Sequence, residues 1–576
     1  MHLLSLITLA SICLLSASQI ANAAGNADTI FYGGDILTMN KSQPSAEAVA
    51  VQNGKILKVG SLAKLKTVQG QDTKLINLNG QTLMPGLVEP HVHIMGTAFS
   101  EEIFLNLSNF TMPHDTLDSL VAKLTAYSKN FKDGEWINAF GVDPSRTEPF
   151  MSELTADILD KVSTTKPIFV MNQSMHIAYV NHKALEMAGL NDSSSDPKGG
   201  KLLKDSKGRL TGVVYEAPAF YLFLAKMAPP TQEVVEQAVA KVGQRLVSKG
   251  VTTSAEITVG AYLGVDKEYA LFNAMTQSGK LPVRVRGYMY SNAYPITNNK
   301  YKPGQGDDTF KLIGVKIVAD GSNQGLTGAM SKPYDYPAGT SNTGTLNFTE
   351  QELYDLAKPR FDQGWQLSVH SNGDKSIEQT LNVFTKLVTK PADAKTRLRI
   401  EHFTVPTEAQ IDKAAKLGVV PGFTIGHTDY WGEAFHNHLI GPERADRIDP
   451  SASLIKRGMH FAYHSDSPVS PIHPLKYASE GAARLWQVSP QKVLNPSQKI
   501  SINHALKAVT IDAAYQLKMD DKIGSIQEGK YADFAIVNRN PMKTDAYKIR
   551  DIEVNETWVN GRQVFKKQWR FLHLSW

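Results

Sequence analysis

Between residues 82 and 463 the chain alternates short apolar runs with helical stretches, and that alternation leaves few folds open. Runs at 82–88, 251–257, 283–288, 314–318, 366–369, 398–401, 419–423 and 460–463 have the length and character of buried strands. Strands separated by helices pair in parallel through crossovers, which gives an α/β fold. Eight runs are the number that a (β/α)8, TIM-like barrel requires. The gap between the first and second runs is roughly 160 residues, where a crossover needs only about a dozen. It carries strand-like runs of its own at 136–140 and 167–171. Residues 100–235 therefore read as a large insertion after the first barrel strand, placed over the barrel mouth.

The two chain ends share a different pattern. Strand-like runs at 29–37, 46–51 and 55–59 are punctuated by Asn53-Gly54, a strong hairpin turn signal. Runs at 532–538, 553–559 and 563–565 follow near the other end, with Asn560-Gly561 as their turn. Residues 24–80 and 521–576 are thus expected to form one small composite β-domain around a barrel domain spanning 81–520.

Residues 1–23 read MHLLSLITLASICLLSASQIANA, an apolar core followed by Ala21-Asn22-Ala23. A short apolar run and a small-x-small site make a signal peptide, which implies a periplasmic or secreted protein. The run is shorter than the ~20 residues of a membrane span, so no stable anchor is expected after cleavage. Cys13 is the sole cysteine, so the mature chain would contain none. Disulfides, thiolate metal sites and cysteine nucleophiles are then excluded, and any metal must be held by His, carboxylate or modified Lys. A net charge of +5 over 576 residues, with no Lys/Arg block, argues against a nucleic-acid partner and leaves a small-molecule substrate. The oligomeric state is open.

Polar groups cluster at the C-terminal ends of the expected strands, the face where barrel enzymes place their chemistry. They are His91 and His93 in PGLVEPHVHI, Lys316 in GVKIVAD, His370 in LSVHSNGD, His402 in RIEHF and Asp466 in YHSDSPV. His-x-His in extended backbone puts both imidazoles on one side. Two converging neutral imidazoles suit zinc. Singly, each residue has an ordinary structural reading; jointly, they indicate a metal site.

The segments LMPGLVEPHVHIMG, MNQSMHIAYVNHKAL, GRLTGVVYEA, GVKIVADGS, VHSNGDKSIEQTL, RIEHFTV and HSDSPVSPIHPL, with the C-terminal run DKIGSIQEGKYADFAIVNRNP, resemble the amidohydrolase superfamily. More narrowly they are similar to its YtcJ-type branch, which includes the N-substituted formamide deformylases. Glu89 stands where Asp more often precedes the paired histidines. The resemblance implies one or two divalent metal ions, zinc foremost. His91, His93 and Asp466 would hold one ion and His370 and His402 a second, with Lys316 bridging them as a carbamate. It implies hydrolysis of a non-peptide C–N bond, amide or formamide-like, with Asp466 as general base. The same centre would also serve a deaminase or a lactone/ester hydrolase, and a non-catalytic periplasmic binding protein is a reading from another class. His176 reads as a donor to the developing oxyanion or as a structural histidine. Glu216 reads as a site carboxylate or a structural one. His427 and Trp431 follow the seventh strand, where substrate would sit, and Asp143 and Arg146 would cap the pocket from the insertion. His464 has no assigned role.

Overall fold

The protein is described by a computed structural model covering residues 25–293 and 300–568. The expected export segment lies outside the described residues. Among the described residues, no helix is long and apolar enough to cross a membrane.

Eight parallel strands form the central sheet: β1 (Leu87–Val92), β2 (Val251–Val259), β3 (Arg284–Tyr290), β4 (Phe310–Val318), β5 (Gln366–Ser371), β6 (Arg399–His402), β7 (Val420–Phe423) and β8 (Ala462–Tyr463). Each pairs with the next in chain order. β8 and β1 meet through the segment after β8, where Asp466 N–H donates to the His91 carbonyl (3.2 Å) and His93 N–H to that of Ser467 (2.9 Å). The sheet is therefore a nearly closed parallel barrel. Helix Gln232–Ser248 leads into β2. Thr231 caps its N-terminus, and Val235, Val239, Val242 and Leu246 form its buried stripe, a spacing that keeps one helical face toward the core.

The first expected strand divides in two. Residues Thr82–Pro85 belong to a different sheet, and only Leu87–Val92 enters the barrel. Gly86 is the crossing point. Its N–H donates to the Asp533 carbonyl, and a Cβ there would lie 2.1 Å from Thr252 Oγ1, so a side chain would push the first barrel strand off the second. The eighth strand is shorter than expected because residues 460 and 461 do not join the ladder, which begins at Ala462.

The other sheet joins both ends of the chain. Its order is 562–566, 554–559, 534–537, 82–85, 27–37, 45–52 and 55–60, with 69–77 also pairing to 27–37. Phe31 meets Phe534 and Trp558 edge-on, with centroids 5.5 and 5.1 Å apart, so aromatic packing joins the two ends. The strand Gln69–Asn77 had no sequence signal because most of its side chains are polar and face solvent. Within the insertion, strands at 201–204, 210–215, 177–180, 168–172, 137–142 and 105–106 form a separate six-stranded sheet.

Candidate metal centre

The β1 register sends His91 and His93 to the same side, and each ring is tied at one nitrogen. His91 Nδ1 lies 2.8 Å from Glu401 Oε2, on β6. His93 Nδ1 lies 2.9 Å from Thr258 Oγ1, and that hydroxyl itself donates to Glu256. Nδ1 is thus the anchored nitrogen of His93, which leaves Nε2 facing the cluster. Glu401 is a carboxylate paired with Arg399, so the same holds for His91. Both Nε2 atoms converge on Asp466 Oδ1, at 2.9 and 3.1 Å. His402, tied at Nδ1 to Thr424 Oγ1 (2.9 Å), completes a group with His91 and Asp466 whose ligand atoms all lie within 4.8 Å of one another. His370 packs on His402 with centroids 4.3 Å apart, and its Nε2 lies 3.1 Å from the Gly321 carbonyl. Lys316 Nζ is 3.4 Å from His91 Nε2.

Charge decides what this cluster can hold. Burial pushes His93 down to about 4 and drives His370 and His402 well below the usual imidazole range. Burial alone would raise Asp466, but the His91 and His402 imidazoles outweigh it and hold the carboxyl well below its ordinary value. The result is an ionised carboxylate on which the Nε2 atoms of His91 and His93 converge. A divalent cation resolves that arrangement, so the donor set fits a metal ion. Lys316 is pushed down to about 8, chiefly by burial.

A second layer holds the first. Glu401 accepts from Ser368 Oγ (2.7 Å) and from Arg399, whose guanidinium also donates to Tyr288 Oη. Glu89 accepts from Ser465 N–H and Tyr477 Oη, bracing the turn that carries Asp466; burial pushes it up to about 8. His464 stacks on His91 with centroids 4.4 Å apart. His402 and Asp466 both adopt positive φ, at 70° and 56°. Strain of that kind persists only where surrounding contacts over-determine it.

His93, Lys316, His370 and Asp466 form the floor of a cavity of about 540 Å³. The insertion supplies His176 and Glu216 to its side, with His176 Nδ1 3.0 Å from Glu216 Oε1. Burial would lower His176, but the charge and hydrogen bond of Glu216 outweigh it and raise its pKa. The remaining wall is mostly apolar, with Phe99, Phe104, Phe220, Leu224, Met227 and Tyr262 prominent.

Residues 74–565 match the model of the amidohydrolase family. The chain belongs to that family. It is a metal-dependent hydrolase of the class acting on carbon–nitrogen bonds. It is 27% identical over 547 residues to YtcJ, a provisionally assigned amidohydrolase of Bacillus subtilis (strain 168), covering 93% of this chain and 99% of that one. It is 23% identical to the N-substituted formamide deformylase of Arthrobacter pascens, covering 93% and 97%. An uncharacterized metal-dependent hydrolase from Pyrococcus horikoshii OT3 shares the fold, with a TM-score of 0.70 at 21% identity over 90% of this chain and 99% of that one.

Four residues expected near substrate in this amidohydrolase do not line the cavity. Asp143 Oδ2 accepts from the buried Trp431 indole at 2.6 Å, and Arg146 donates to the Tyr430 carbonyl at 2.7 Å. His427 Nδ1 lies 3.4 Å from Asp449. The Asp143 and Arg146 contacts cross the joint between the insertion and the loop after β7, whereas His427 faces Asp449 on the barrel side. Their places after the seventh strand and in the insertion did not reveal that Asp143 and Trp431 face each other. Glu401 was the opposite case. It is the residue that orients His91, and the sequence offered only a charged pair, Arg399 and Glu401, on the inward side of an otherwise apolar strand.

Proposed function

We propose that the protein hydrolyses an amide or formamide-like C–N bond of a small molecule bearing an apolar substituent. The observation that carries this reading is the convergence of His91 and His93 on one Asp466 oxygen, beside Lys316, at the floor of an apolar cavity. The named reaction of the Arthrobacter pascens relative supports the bond type.

His91, His93 and Asp466 would hold one divalent ion, most simply zinc, and His370 and His402 a second. Bound there, such an ion lowers the pKa of water toward ~7 and polarises the substrate carbonyl. Asp466 takes the proton of the attacking water at a carboxylate oxygen and returns it to the departing nitrogen. His176, paired at Nδ1 with Glu216, donates from Nε2 to the carbonyl oxygen as negative charge develops there. Burial of Lys316 favours the neutral amine, the form that captures CO₂. Its carbamate would set two anionic oxygens where an ammonium would repel a cation. The apolar wall excludes water and accepts the substituent.

Metal analysis of the purified protein, paired with N-benzylformamide, N-benzylacetamide and N-methylformamide, tests this. One or two bound metals and faster cleavage of the benzyl compounds are expected. Metal-replete protein that cleaves none of the three would overturn the reading.

A further inference from the structure

Glu216 occupies backbone space that its side chain should avoid. It sits at φ 67°, ψ 157°, immediately before helix Ala217–Leu224. That region is essentially reserved for glycine, and non-glycine residues persist there chiefly at functional sites. Glycine would be the simple choice for this corner, yet the chain places a carboxylate there.

The carboxylate and the main chain of Glu216 grip the same partner. Its N–H donates to the His176 carbonyl at 3.0 Å. Its two carboxylate oxygens lie 3.0 and 3.1 Å from His176 Nδ1. Gly321 leaves room for this approach, since a Cβ there would come within 3.0 Å of Glu216 Oε1. The His176 ring then stands 4.9 Å from that of His370, over the cavity floor, and both His176 and Glu216 line the cavity. Among the described residues, Nε2 of His176 has no hydrogen-bond partner.

We propose that Glu216 is a positioning residue whose strained main chain aims its carboxylate at His176 Nδ1, so that Nε2 is the ring atom offered to the substrate carbonyl. A relaxed corner would let the carboxylate swing away and the ring turn over. The conformational cost at residue 216 is thus tied to a fixed imidazole orientation. The proposal rests on the reading of His176 as a donor to substrate.

Glycine substitution separates this role from a structural one. In Glu216→Gly the strain is relieved, so Tm should equal or exceed that of the wild type. Metal content should be unchanged, while kcat on N-benzylformamide falls at least tenfold and KM moves less. Glu216→Gln keeps an acceptor for Nδ1–H and should retain more activity than Glu216→Gly. The double variant His176→Ala/Glu216→Gly should be no slower than His176→Ala alone, because coupled residues lose a shared effect only once. In ¹⁵N-histidine NMR, the hydrogen-bonded Nδ1–H of His176 should be visible in the wild type and in Glu216→Gln, and lost in Glu216→Gly. A lowered Tm with unchanged kcat, a further loss on the His176→Ala background, or an unaltered Nδ1–H signal in Glu216→Gly would overturn the proposal. If the wild type does not cleave N-benzylformamide, the amide reading fails, and the Tm and NMR results still decide the role of Glu216.

Discussion

The floor and the wall of the cavity are built by different means. At the floor and directly beneath it, His91, His93 and His402 project from or just beyond barrel strands, and each has one ring nitrogen tied to a carboxylate or hydroxyl. On the wall, the insertion contributes Phe220, Leu224 and Met227 from a helix and the loop after it, where contacts are apolar and non-directional. Directional ties fix an atom to a fraction of an ångström, whereas apolar contacts conserve only volume and shape. Changes on the floor should therefore abolish chemistry, and changes on the wall should re-rank substrates.

The largest expected effect breaks the floor without changing its shape. Asp466→Asn removes the base and one negative ligand, so kcat should fall by ~10²–10⁴-fold or more while the circular dichroism spectrum is preserved. Lys316→Ala should act similarly. Lys316→Arg should not restore activity, because guanidinium stays cationic and cannot be carboxylated. If Asp466→Asn and Lys316→Ala each kept wild-type activity and metal content, the assignment of the floor would be wrong.

An intermediate effect is expected on the wall. Phe220→Ala opens space beside the substituent, and poorer filling of an apolar pocket costs about 1–3 kcal/mol of discrimination. The ratio of kcat/KM for N-benzylformamide over N-methylformamide should drop by roughly 10–200-fold. Metal content should be unchanged. An equal loss for both substrates would show that the wall shapes the chemistry as well as the choice.

The smallest effect belongs to the joint. Trp431→Phe leaves Asp143 without its indole donor, which should lower stability by about 1–3 kcal/mol. KM for N-benzylformamide should stay within a factor of about two, because Trp431 does not line the cavity. A larger KM change in steady-state assays would move the joint into the wall.

The floor was the most legible part of the sequence, and the reason is geometric. Period-two alternation fixes where His91 and His93 point, and strand ends fix where His370, His402 and Asp466 lie. The partners of these residues were hidden, because Glu401 and His91 are 310 residues apart and no local pattern couples them. The strand boundary at Gly86 was hidden for a related reason. The run 82–88 is continuous in hydropathy, and only its neighbours show that it serves two sheets. The positions of Asp143 and Trp431 were misjudged near substrate because loop location reveals proximity to a barrel mouth without revealing which side of the loop faces it.

Gly86 also couples distant parts of the molecule mechanically. Thr82–Pro85 is fastened to strands from both chain ends, and His91 lies five residues beyond Gly86, about 17 Å along the same extended run. With no side chain at the crossing, that run forms one short extended arm that passes directly against Thr252. A tilt of the terminal sheet is handed directly to the paired histidines, whereas the insertion hangs from the far side of β1 and can be lengthened or exchanged without pulling on that arm. Substrate range can thus drift in descendants of this chain while its hydrolytic core stays anchored at the termini.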